Sequence, residues 1–123
     1  MPVSIVHIGL PLDHPSIPTE DRPQLTKRLA DLQQKMRAAG YVYEIIHASP
    51  ESGLEAFRNQ LRTQPCQGVL IGGGVLGNPT LTYFMEQIID AAHELAPQAK
   101  IMFFSHSVDV RTTVERWFPP PSR

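Results

Sequence analysis

Residues 68–81 read GVLIGGGVLGNPTL: a short apolar run, then glycines, then Asn-Pro-Thr. Four apolar residues bounded by glycine suit a strand buried on both faces. Asn ahead of Pro marks a helix start, because Pro forfeits no hydrogen bond at the first helical position and Asn accepts from a free amide. Leu81, Phe84, Met85, Ile88, Ala92 and Leu95 then recur at helical spacing until Pro97 stops them. Strand, tight turn and helix in that order form part of a parallel βαβ unit.

The same unit recurs on either side. VSIVHIGL (3–10) and YVYEIIHA (41–48) upstream, and IMFF (101–104) downstream, are further strand candidates rich in β-branched and aromatic residues. Between the first two, Leu25, Leu29, Leu32, Met36 and Ala39 mark the buried face of a helix, and Gly40 stands where a left-handed C-terminal residue is wanted. Ser49-Pro50-Glu51 reads as the start of the next helix, with Leu54, Phe57 and Leu61 inward and Pro65 as its stop. A last helix begins at Ser107 or Asp109, buries Val110, Val114 and Trp117, and ends at Pro119-Pro120-Pro121. All 12 prolines fall in loops or at element ends under this parse. Strands alternating with helices imply parallel pairing, right-handed crossovers and helices on both faces of one sheet. Residues 1–118 form one doubly wound, three-layer α/β/α domain, and 119–123 are a Pro-rich tail.

Composition narrows the function classes. The 123 residues are 41% apolar and 19% charged, with 11 Lys+Arg against 12 Asp+Glu. That balance provides no basic face for nucleic acid. No apolar run approaches the roughly 20 residues of a membrane helix, and Met1-Pro2 opens no secretory leader. The single cysteine, Cys66, precludes an internal disulfide framework and reads as a small buried or half-buried thiol. A reducing, cytoplasmic setting is expected. No membrane or nucleic-acid partner, no metal site and no cofactor is expected either.

In open parallel sheets ligands bind beyond the C-terminal strand ends, where the strand order reverses. Segments 9–19, 72–80 and 105–107 converge there. Gly72, Gly74 and Gly77 spell GxGxxG at a strand-to-helix turn, so Gly72, Gly73, Gly74, Gly77 and Asn78 are candidate backbone ligands for an anion. The dinucleotide fingerprint belongs after the first strand with an acid further on, and neither condition holds. A tight turn that brings helix close to sheet accounts for the same glycines. The proline-stiffened loop GLPLDHPSIPT supplies Asp13 and His14, and the fourth strand is followed by Ser105, His106 and Ser107. His106, Asp13 and His14 are the candidates for proton transfer, and Ser105 for ligand contact. His7 reads as a satisfied core or half-buried residue.

The layout resembles the flavodoxin-like, Rossmann-like superfold, which implies a strand order of 2-1-3-4, one strand short of the usual five. Glu44 suits an edge strand, whereas IMFF is an unprotected apolar edge that the WFPPPSR tail or a second copy would cover; a homodimer is expected. The stretches GVLIGGGV, NPTLTYFMEQII and HELAPQAKIMFFSHSVDVRTTVERWF are similar to those of small single-domain microbial α/β proteins with no established reaction. That resemblance implies a fold and no activity. The leading expectation is a binder of a small phosphate- or carboxylate-bearing ligand. A cofactor-free hydrolase or lyase using His106 or Asp13/His14, and an oligomeric scaffold without ligand, are the alternatives.

Overall fold

A computed structural model of the chain describes residues 2–119. Its elements run β1 (Ser4–Gly9), α1 (Arg22–Ala38), β2 (Val42–His47), α2 (Glu55–Thr63), β3 (Gly68–Ile71), the single turn α3 (Gly73–Leu76), α4 (Thr82–Leu95), β4 (Lys100–Phe103) and α5 (Val110–Trp117). The four strands form one all-parallel sheet in the order β2-β1-β3-β4, the flavodoxin-like three-layer arrangement.

Side chains of a strand alternate between faces, and here that alternation divides the core in two. Val6, Ile8, Val69 and Ile71 pack with Phe57 and Leu61 of α2 and Phe84 and Ile88 of α4. Ile5, Leu70, Met102 and Tyr43 pack with Met36 of α1 and with Val110 and Val114 of α5. Cys66 is buried in the first cluster, where desolvation pushes its thiol up.

Several local signals act as the sequence implies. Gly40 takes φ 100° after α1. Asn78 Oδ1 accepts from the Thr80 amide at 3.0 Å, and Asp109 Oδ1 accepts from the Thr112 amide at 2.8 Å to cap α5. Others differ. Ser49-Pro50-Glu51 opens a turn rather than a helix: Ser49 and Ser52 exchange amide-to-hydroxyl bonds of 3.0 and 3.1 Å, Gly53 adopts φ 79°, and α2 starts only at Glu55. Trp117 is 51% exposed instead of buried. β4 begins at Lys100, whose ammonium lies 5.6 Å from the centre of the Trp117 ring. The edge is therefore short and starts with a lysine, two devices that discourage strand addition. Glu44 lies on the opposite edge, 3.3 Å from Arg37. The expected fold-back of the tail involves residues 120–123, outside the described residues; Phe118 just before them packs into the α1–α5 side of the core and accepts from Tyr41 Oη at 2.6 Å. Among the described residues no helix is long and apolar enough to cross a membrane.

Candidate functional site

The crossover from β1 leads to the β2 edge, and that from β3 to the β4 edge. The segments leaving β1 and β3 therefore part at their C-terminal ends, and a cavity of about 590 Å³ opens between them. Its outer wall is α1. Leu25, Leu29 and Leu32, part of the apolar stripe that implied a buried helix face, line the cavity and are only half-buried. Met36, one turn beyond Leu32, is the single fully buried residue of that helix. The stripe is thus packed on the sheet at one end and forms a cavity wall at the other. Leu12 and Ile17 from the proline-rich loop close one side, and Phe104, Val108 and Val110 close the other.

Against these apolar walls stand a few polar groups. Arg28, on α1, lines the cavity and forms no ion pair among the described residues. Asp109 is the one acid in the lining among the described residues; its carboxylate caps α5 and faces Lys35 at 3.9 Å. Hydrogen bonds from Thr112 hold that carboxyl below the usual range. His47 donates from Nδ1–H to the Leu10 carbonyl, 3.1 Å away.

The floor is formed by His7, in the middle of β1 and 5% exposed. Its Nδ1 is 2.6 Å from the hydroxyl of the fully buried Tyr43, and the two rings meet edge-on at 84°. Burial, reinforced by His47, pulls the imidazole down to about 4 from its ordinary 6.5, so it is neutral at physiological pH. Burial pushes the Tyr43 phenol far up, so it stays protonated. Sequence reading set His7 aside as core. The available signal was a histidine in the middle of an otherwise apolar strand beside the reversal point.

The glycine run works by small size rather than by unusual backbone. None of Gly72, Gly73, Gly74 and Gly77 has positive φ. A β-carbon on Gly72 would lie 3.2 Å from the Ile8 carbonyl and 3.3 Å from His7 Nε2. One on Gly73 would overlap the Phe104 ring at 2.7 Å, and one on Gly77 would press the Gly73 carbonyl at 3.1 Å. Gly74 has room, with Leu10 at 3.4 Å. The Gly73 and Gly74 amides, in the first turn of α3, have no backbone acceptor among the described residues.

The candidate residues therefore divide. Gly72, Gly73, Gly74, Ser105 and His106 line the cavity; Gly77, Asn78, Asp13 and His14 do not. Asn78 is occupied by Thr80, which donates to Oδ1 from both amide and hydroxyl. His14 is bound to Ser16 at 2.8 Å and to Glu51 at 3.2 Å, and Asp13 is exposed. Ser105 and Ser107 bond each other at 2.9 Å, and His106 rests edge-on against Phe104 and pairs with no acid among the described residues. Ser105 and His106 thus share the cavity rim without forming a nucleophile–base pair. No three His, Cys, Asp or Glu side chains gather to hold a metal among the described residues. No protein-family model, no curated protein and no solved structure matches this chain.

Proposed function

We propose that the protein binds a small organic anion, with an apolar body and an oxygen-bearing acidic head, in the cavity at the C-terminal edge of the sheet. The observation carrying this reading is the cavity itself. It has about 590 Å³ of space, hydrocarbon walls, and polar groups weighted towards donors that have no partner among the described residues: Arg28, the second ring nitrogen of His7 and two glycine amides. That volume lies within the range of small-molecule sites, and a few polar groups on apolar walls is their usual composition. A more open groove of about 520 Å³ beside α2 and α4 lacks a buried polar floor, and its Arg58 already pairs with Glu94 at 3.1 Å. The test is a thermal-shift titration with 3-phenylpropanoate, octanoate and phenyl phosphate. A ligand at 100 times its dissociation constant adds about 2.7 kcal/mol, several degrees for a domain of this size. Leu29→Trp, which fills the cavity from α1, should abolish the shift, and Arg28→Ala should weaken binding roughly three- to tenfold. Silence from all three probes at millimolar concentration overturns the reading.

A second reading concerns self-association. Phe103 is 44% exposed and Trp117 51% exposed at the same open edge of the sheet, which favours a second copy docking there through side chains. Sedimentation equilibrium should give a dimer that Phe103→Asp converts to monomer. A wild-type monomer at tens of micromolar rejects this reading.

A further inference from the structure

Tyr43 and His7 determine where one proton sits. The Tyr43 hydroxyl is fully buried, and its one hydrogen-bond partner among the described residues is His7 Nδ1. If Nδ1 carried the proton and donated it, the phenolic O–H would be sealed in the core with no acceptor, a costly arrangement. The O–H therefore donates to Nδ1, and the imidazole proton is on Nε2. That nitrogen has no partner among the described residues, yet it is not among the sealed, unpartnered polar atoms. It faces the cavity floor beside Gly72, where a β-carbon would stand 3.3 Å from it. A side chain nine-tenths buried thus presents one unused donor to an otherwise apolar floor.

We propose that His7 is the specificity-determining residue of this cavity, donating from Nε2–H to a carboxylate oxygen of the ligand, with Tyr43 as the positioning residue that fixes the tautomer. The inference rests on the binding reading above and narrows its ligand from anions in general to carboxylates. A single uncharged donor on an apolar floor suits one oxygen of a monoanion. The donors lining the cavity, His7, Arg28 and the Gly73 and Gly74 amides, carry one formal positive charge between them, which matches a monocarboxylate and leaves the second charge of a phosphate dianion uncompensated. At the floor an amine is disfavoured, since a donor meeting the His7 N–H leaves both unsatisfied. Gly72 belongs to the same device, because any larger residue there would stand over the nitrogen.

Two measurements test this. The imidazole ¹⁵N spectrum of the ligand-free wild-type protein should show His7 as the Nε2–H tautomer, and Tyr43→Phe should mix the two tautomers. Finding the Nδ1–H form in the wild type overturns the inference whether or not any variant folds. The second measurement compares 3-phenylpropanoate with n-propylbenzene, which shares its body and lacks the acid. His7→Phe should weaken the acid at least tenfold and leave the hydrocarbon within twofold. Equal loss for both probes makes His7 a structural residue and overturns the inference while the cavity remains a binding site. If n-propylbenzene binds the wild type and 3-phenylpropanoate does not, the inference also falls. Failure of both probes to bind the wild type removes the binding reading and this inference with it.

Discussion

Between pH 7 and pH 4 the protein should lose roughly 3 kcal/mol of stability through His7 alone, a loss that His7→Phe does not share. The imidazole titrates near 6.5 in an unfolded chain and at about 4 in the folded one. Between those values the unfolded state binds the proton and the native state does not, so acid favours unfolding. The contribution is complete above pH 6.5 and is lost progressively as pH falls towards 4. Glu51, held low first by its own backbone amide, and Asp109, held low by Thr112, lose their native advantage at still lower pH. Both carboxylates remain in the variant, so the difference between wild type and His7→Phe isolates the histidine. Urea midpoints at pH 7 and pH 4 measure it. A constant difference across that range would place His7 in contact with water and reopen the description of the cavity floor.

Phe57→Ala should cost about 3–5 kcal/mol, lowering Tm by on the order of 10–20 °C. Phe57 is fully buried in the cluster between the sheet and the α2–α4 layer, where close packing leaves a deleted ring as a cavity. Leu29→Ala should cost about 1 kcal/mol or less, because Leu29 is half-buried and borders an existing cavity, so its removal enlarges a space without creating one. Calorimetry of the two variants reads the contrast directly. Comparable losses would mean that α1 packs on the sheet along its whole length.

That contrast also marks the limit of what periodicity conveys. Leu25, Leu29 and Leu32 follow the same three-and-four spacing as Phe57 and Leu61, and a cavity wall and a packed core demand the same apolar face. Spacing shows which side of a helix avoids water, not what lies opposite. The strands were legible because their β-branched runs, the glycines and the prolines all agreed, and parallel order followed from alternation with helices. Asn78 and Asp109 were legible as caps or helix starts because capping is local chemistry. Ser49 carried the same local signal and did not cap a helix, since Gly53 at φ 79° breaks the run before a helix can form. His7 lay beyond reach for a different reason. Its character depends on Tyr43, diagonal to it across the pairing in which His7 faces Ile45 and Ile5 faces Tyr43. Thirty-six positions separate the two residues, so only the strand register brings them together.

The position of β1 has a consequence for how the chain is made. It is the first of the four strands to be synthesised, yet it occupies the interior of the sheet, paired on one side with β2 and on the other with β3. At roughly 5–20 residues per second, the about 60 residues from Gly9 to Ile71 take roughly 3–12 s to emerge. Throughout that interval IVHI, which ends almost fully buried, waits with one or both of its edges unpaired. The nascent chain therefore passes through a period in which an apolar strand is made before its second partner, and rapid capture by β3 favours completion of the fold over misassembly.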